Sequence, residues 1–374
     1  MGPSTLETTA GSGATEQREV VVVGGGQAGL AIGYFLAQQG RDFVILEAAA
    51  EPAAAWRERW DSLKLFTPVR YSSLPGLAFP GDPDTYPTRD DVVDYLTSYA
   101  RHFDLPVERN SPVHSIRRTD GGYLVETGER VYVAGQVVVA TGPFQTPFVP
   151  QIAELLGSDV VQMHSTAYRI PTDLPVGRIL VVGGGNTGFQ IAEELANSRE
   201  VHLSVGSRQK PLPQRILGRD LFWYLEATGL IRKTRESRIG RRLEGRDTLI
   251  GSKPKTIERR HGVKLHPRAV GASGPTVTFE DGTSLDVDGV LWATGFRPEY
   301  AWIDAEVFDD KGRVIHKRGV TEAPGLHFLG LSWQHTRGSA LIGWVKDDAE
   351  HIAEQISAFQ PNVAAPAAAP QPVA

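Results

Sequence analysis

The chain has 374 residues, 41% hydrophobic and 22% charged, with a formal net charge of −5 and a pI near 6.1. At about 150 residues per domain the length predicts two or three domains, and the composition excludes a wholly disordered or fibrous chain. The mild acidity argues against wrapping nucleic acid, and the absence of cysteine excludes a disulfide framework, a thiolate metal site, a Cys nucleophile and a dithiol relay.

No run reaches the ~18 consecutive apolar residues of a membrane-spanning helix. Residues 1–17 are small and polar, without the basic start and apolar run of a secretory signal, and are expected to form a flexible tail. Residues 361–374 are a Pro/Ala tail with nothing to bury. The folded body is placed at 18–360, with a cytoplasmic location expected and no metal-ligand set.

The body opens with residues 19–23, a β-branched run that predicts a fully buried strand. Directly after it, Gly24-Gly25-Gly26-Gln27-Ala28-Gly29 matches G-x-G-x-x-G. Helical spacing follows over 30–39, with Ile32, Phe35 and Leu36 on one face and Gly40 as a stop. A second strand over 42–46 ends in Glu47, 18 residues beyond Gly29. Gly24 allows the tight turn, Gly26 lets the backbone approach a pyrophosphate, and Gly29 permits close helix–strand packing. The helix start offers free N–H groups to phosphate, and Glu47 can accept from ribose hydroxyls.

The pattern returns. A strand over 178–182 precedes Gly183-Gly184-Gly185-Asn186-Thr187-Gly188, which starts 159 residues after Gly24, and a helix follows over 189–197. The next strand, 201–205, ends in Gly206-Ser207-Arg208 instead of an acid. A carboxylate repels a 2′-phosphate, whereas a hydroxyl and a guanidinium bind one. The first loop therefore suits an adenosine with a free 2′-hydroxyl, as in FAD or NAD, and the second suits NADPH. One flavin and one nicotinamide make a working pair, because a hydride can pass between stacked rings. Two further strands end in Ala-Thr-Gly, at Thr141-Gly142 and Thr294-Gly295, and fit chain crossings between two domains.

In these motifs the chain resembles class B flavin-dependent monooxygenases, in particular the flavin-containing monooxygenases and the short bacterial relatives of plant indole-3-pyruvate monooxygenases. The family motif F-x-G-x-x-x-H-x-x-x-Y/F is matched at His164 and Tyr168, with Ser158 and Val160 in place of Phe and Gly. The Baeyer–Villiger branch carries Trp at the last position, so Tyr168 points away from ketone oxygenation. The stretch Trp56-Arg57 through Trp60 to Thr67-Pro68 resembles the segment passing the flavin, and 325–339 resembles the return to the FAD domain. The likeness runs from about Val20 to Ile356.

The resemblance implies an α/β protein of two Rossmann-like dinucleotide-binding domains with glutathione-reductase-like topology. FAD would be bound by 18–173 with 296–360, and NADPH by an inserted domain over 174–295. It implies a monooxygenase whose reduced flavin forms a C4a-hydroperoxide and passes oxygen to nitrogen, sulfur or a 2-oxo acid of a small molecule. Water exclusion and retained NADP+ would protect that species. Monomer and homodimer both remain open. The catalytic candidates are Thr67, where relatives often carry Asn, together with His164 and Tyr168.

The cofactor-binding candidates are Gly24, Gly26, Gln27, Ala28, Gly29, Glu47, Trp56, Arg57, Trp60, Val113, Thr141, Gly142, Gly183, Gly185, Asn186, Thr187, Gly188, Ser207, Arg208, Thr294, Gly295 and Gln334. Trp56 and Trp60, four apart, equally fit a helical face turned into the core. Val113 matches the position whose backbone meets the adenine. Gln334 with Thr336–Ser339 either touches the flavin edge or caps a helix over 340–357. Residues 231–260 carry 11 basic and 4 acidic side chains, an attraction for phosphates or a solvated face. Candidates for the substrate wall are Phe66, Phe79, Tyr86, Trp333 and Trp344. Two other functions stay open: an NADPH-driven reductase of a quinone or carrier protein, and a non-catalytic flavin redox sensor.

Overall fold

A computed structural model describes residues 14–207, 211–244 and 248–359. The residues expected to form the C-terminal tail, most of those expected to form the N-terminal one, and Arg208 lie outside the described residues.

The first unit is built on the valine run. Its sheet has the spatial order Ile303–Asp304, Val113–Thr119, Gly122–Thr127, Arg130–Val139, Ala14–Val23, Phe43–Leu46, Val107–Glu108. Leu326–Phe328 also pairs with Arg130–Val139. Ala14–Val23 is parallel to both neighbours. Val20 and Val22 pack with Ile45 and Val138 against the helices Gln27–Gln38, Arg89–His102 and Val345–Ala358. Val21 and Val23 join Val44, Leu46, Val137 and Val139 on the opposite face. Burial on both faces explains an unbroken apolar run in place of alternation, each such side chain contributing about 1.5–3 kcal/mol.

The second unit repeats the plan. Its sheet runs Lys264–His266, Glu200–Ser204, Arg178–Val182, Gly289–Trp292, Val161–His164, with every pair parallel. Ile179, Val181 and Leu291 face the helices Asn186–Leu195 and Pro254–His261. Leu180, Val182, Val290 and Trp292 face a three-stranded antiparallel sheet spanning residues 269–286. Among the described residues no helix is long and apolar enough to cross a membrane.

Two boundaries differ from expectation. Residues 14–17 are not tail but the start of the first strand, held by pairing with Arg130–Val139 and by the Glu16–Arg18 and Glu16–Arg130 ion pairs. Val161–His164 falls within the span expected to bind FAD, yet it extends the second sheet through parallel pairing with Gly289–Trp292. The two Ala-Thr-Gly segments lead into crossings that lie side by side. Thr146–Pro147 pairs antiparallel with Phe296–Arg297, Phe148 N donates to Gly295 O at 2.9 Å, and Thr294 Oγ1 donates to Phe148 O.

One buried base ties the C-terminal helix to the first sheet. His327 is 4% exposed, its Nε2 lies 3.3 Å from Gln136 Oε1, and its Nδ1 has no partner. Gln136 Nε2 donates to Ile356 O at 3.1 Å. Burial first, and the neighbouring His351 second, push the His327 pKa down to about 4 from 6.5. The unfolded chain therefore takes the proton first as pH falls. Stability from this group is complete above about pH 6.5 and is lost on acidification toward pH 4, by about 3 kcal/mol in all. The thermal midpoint should fall across that window, and the fall should be shallower in His327→Gln. An equally steep fall in the variant would assign the acid lability to other groups.

Candidate functional site

The two glycine loops are shaped by the backbone contacts around them. Gly24 has φ +111°, and a Cβ there would lie 2.7 Å from Ala140 O; one at Gly29 would lie 1.8 Å from Gly24 O. The second loop repeats this, with Gly183 at φ +137° and a Cβ 2.1 Å from Ala293 O, and Gly188 with a Cβ 2.0 Å from Gly183 O. These four glycines are demanded by the fold. Gly26 is not. Its φ is −77°, and a Cβ there would meet nothing within 4 Å. It is the N-cap of Gln27–Gln38, makes no side-chain capping bond, and lines a cavity. A bare backbone at a helix N-terminus, with open space in front, is what an incoming phosphate group requires.

That cavity has a volume of about 970 Å³ and is lined from both units. Gly24, Gly26, Gln27, Ala28, Glu47, Val113, Thr141 and Gly142 contribute from the first, and Gly185, Asn186, Thr187 and Gly295 from the second. Glu47 Oε2 accepts from Gly25 N at 2.8 Å and Oε1 from Ala49 N at 3.0 Å, leaving each oxygen a further lone pair. The residues present thus fit nucleotide groups at both loops.

The structure sorts the remaining candidates. Trp56 and Trp60 line the cavity; Trp56 Nε1 donates to Gln27 Oε1 at 2.9 Å, and Gln27 Nε2 to Ala340 O at 2.9 Å. Trp60 is buried in the second core with its Nε1 unpartnered, so the pair packs into the core while also lining the cavity. Arg57 is exposed and absent from the lining, while Arg59 is present. The helix ends at Arg57, and Arg59 lies in the turn that follows it. Asn186 spends its side-chain amide on Thr248 O (3.1 Å) and Ile250 N (2.9 Å). Gln334 does not line the cavity. It is buried, accepting from Leu331 N at 3.2 Å and donating to Arg318 O at 3.4 Å, so it shapes the return loop. Gly29, Gly183, Gly188 and Thr294 act through packing and the crossing, not as lining. Ser207 follows the strand Glu200–Ser204 at an exposed edge.

The catalytic candidates separate in the same way. Thr67 lines the cavity but is 1% exposed, with Oγ1 3.2 Å from Ser72 Oγ. His164 and Tyr168 do not line it. His164 Nε2 lies 3.1 Å from Gly295 O and its ring meets Phe296 edge-on, which braces the crossing. Burial, opposed by the Gly295 bond, lowers its pKa. Tyr168 is fully buried in the second core and donates to Glu194 Oε2 at 2.7 Å. Of the expected substrate wall, Phe66 and Trp333 line the cavity. Phe79 is core, Tyr86 bonds Asp220 Oδ2 at 2.7 Å, and Trp344 stacks on Tyr71 behind the wall.

Sequence reasoning missed Arg59, Phe144, Phe296, Trp302 and Arg268. The first four line the cavity. Arg268 Nη2 donates to Gly206 O at 2.8 Å, beside Ser207. Phe144 and Phe296 each stand two residues or fewer after an Ala-Thr-Gly, the one sequence signal that marks them as junction residues.

Comparison with known proteins agrees with this geometry. Residues 21–215 match the family described as pyridine nucleotide-disulphide oxidoreductases. An uncharacterized CzcO-like oxidoreductase of Geobacillus kaustophilus is 45% identical over 340 residues, covering 90% of this chain and 98% of that protein. A probable indole-3-pyruvate monooxygenase of Arabidopsis thaliana, YUCCA9, is 29% identical, covering 90% of this chain and 88% of that one. The flavin-containing monooxygenase from Stenotrophomonas maltophilia superimposes with a TM-score of 0.77 at 30% identity, covering 92% of this chain and 99% of that one. With no cysteine to carry a disulfide relay and two glycine loops opening on one cavity, the chain belongs to the pyridine nucleotide-disulphide oxidoreductase family, among its flavin-dependent monooxygenases.

Proposed function

We propose that this protein is an NADPH- and FAD-dependent monooxygenase that places one O2-derived oxygen atom on a nitrogen, sulfur or 2-oxo acid centre of a small organic substrate. The observation that carries the reading is the shared cavity: two nucleotide-shaped loops, one from each sheet, open onto the same space. FAD is assigned to the unit containing Gly24–Gly29, because Glu47 presents a carboxylate to an unphosphorylated ribose. NADPH is assigned to the unit containing Gly183–Gly188, where Ser207, Arg208 and Arg268 supply hydroxyl and cationic groups for a 2′-phosphate.

When bound, FAD would supply the redox chemistry, taking reducing equivalents from NADPH for the activation of O2, and Gly24–Gly29 with Glu47 would hold it. The chain's own residues bind, orient and keep water out. Backbone N–H groups at residues 26–28 and 185–187 would meet the diphosphates at two helix N-termini. Trp56, Trp60, Leu63, Phe66, Phe144 and Trp302 wall the cavity with apolar surface, which disfavours water near the reacting atoms. Thr67, its hydroxyl hydrogen-bonded to Ser72, contributes a lining position. His164 acts as a positioning residue, holding the Gly295 carbonyl where the chain returns.

Two measurements test the reading. Gly26→Ala should fold with an unchanged thermal midpoint yet hold FAD about tenfold or more weakly, since blocking phosphate contact forfeits charge-assisted hydrogen bonds of about 1.5–3 kcal/mol. Gly29→Ala should instead lower the midpoint, because its Cβ meets Gly24 O. With FAD loaded, NADPH oxidation over a panel of amines, sulfides and 2-oxo acids should transfer isotopically labelled O2 into at least one product. NADPH should be preferred over NADH. Complete recovery of the oxygen as hydrogen peroxide with every panel member, alongside fast quinone reduction, would replace the monooxygenase by the reductase.

A further inference from the structure

Arg59 occupies an unusual position for a cation. It stands on the cavity wall, half-buried, one turn beyond Trp56 and beside Trp60. Its guanidinium carbon lies 5.3 Å from the ring centre of Phe144 and 5.2 Å from that of Phe296. The side chain makes one hydrogen bond, from Nε to Ala55 O at 3.0 Å, and no carboxylate of the described residues pairs with it. The adjacent Glu58 acts on it as a favourable charge but forms no ion pair with it. Burial, opposed by the charge of Glu58 and joined to a smaller degree by that of Arg169, makes its protonated form less favourable than usual. The two rings hold the planar group in place through cation–π contact but leave its outer N–H donors without an anion. A partly desolvated cation of this kind gains most from a planar oxyanion that it can meet bidentately.

We propose that Arg59 binds the carboxylate of the organic substrate, so that this monooxygenase selects acids with an apolar, ring-bearing body. Nucleotide diphosphates already have their donors in the backbone of the two helix N-termini. The rings that meet Arg59 are instead Phe144 and Phe296, and Trp56, Trp60 and Trp302 line the same cavity. The carboxylate would sit on the guanidinium and the apolar body against these rings. The proposal rests on the monooxygenase reading for what happens to the bound acid, and not for the binding itself.

Calorimetry on FAD-loaded protein without NADPH separates the two. The probes are 3-phenylpropanoate and its amide, which share shape and differ in charge. The wild type should bind the acid about tenfold or more tightly than the amide, the loss expected for one charge-assisted bidentate contact. Arg59→Gln should remove that difference while leaving the amide unchanged, and Arg59→Lys should restore part of it. Both variants should keep the wild-type flavin content. Equal binding of acid and amide by the wild type overturns the proposal whatever the variants do. A loss confined to NADP+ in Arg59→Gln overturns it as well, assigning the guanidinium to a cofactor phosphate. Acid binding with no oxygen transfer to any acid, amine or sulfide would retain the Arg59 contact and sink the monooxygenase reading.

Discussion

The site depends on one repeated close contact between backbones. In each unit the first glycine of the loop presses against the carbonyl at the end of a neighbouring strand, Ala140 for Gly24 and Ala293 for Gly183. The last glycine of each loop presses against the carbonyl of the first, so the helix start is locked onto the strand end. No side chain larger than hydrogen fits at these four places without moving main chain. Because the loop, the helix N-terminus and the Ala-Thr-Gly strand end are fixed together, each crossing leaves the sheet at a set point beside its nucleotide loop. The two crossings then pair with each other, and the cavity is the space they enclose.

This explains which parts of the molecule were legible in the sequence. Both glycine loops, their strands and helices, and the Ala-Thr-Gly crossings could be read, because each is a local solution in which residue type follows from backbone geometry. Glu47 was legible for the same reason, standing at the end of the strand that follows the helix. Arg57 was chosen over Arg59 because a linear motif carries no face; the short helix Ala54–Arg57 ends at Arg57, and Arg59 lies in the turn that follows it. Gln334, His164 and Tyr168 were read as site residues from resemblance. Their side chains brace the loop, the crossing and the second core. Their distance from the cavity depends on contacts with Arg318, Gly295 and Glu194, remote in sequence. Arg268 was out of reach for the same reason. It arrives at Gly206 only because Lys264–His266 pairs with Glu200–Ser204.

The segment from Trp56 to Leu65 belongs to both cores. Trp56 and Leu65 pack against the first, Trp60 and Leu63 within the second. Its backbone is held by cations from either side: Arg169 Nη1 donates to Glu58 O, and Arg89 Nη1 to Arg59 O at 3.0 Å. Gln190 Nε2 reaches Lys64 O at 3.2 Å. A cavity wall shared in this way cannot loosen in one unit without disturbing the other. That gives a physical reason for placing selectivity on it.

The opposite wall is held by strain rather than by sharing. Trp333 lines the cavity with φ +57°, a left-handed conformation that costs an ordinary side chain about 1–2 kcal/mol. Its neighbour Gln334 offsets the cost, closing the turn through Leu331 N and tying it to Arg318 O, while Arg318 is in turn paired with the buried Asp348 on the C-terminal helix. Ser339 Oγ accepts from His335 N and Thr336 N at 3.0 Å each, fixing the far side of the loop. A strained residue persists only where its surroundings over-determine it. Here they extend from the cavity to the helix that packs on Gln27–Gln38, whose own N-terminus faces the same space. The return loop and the first glycine loop are therefore set by one packing arrangement, and the distance across the cavity between them is a property of the first core.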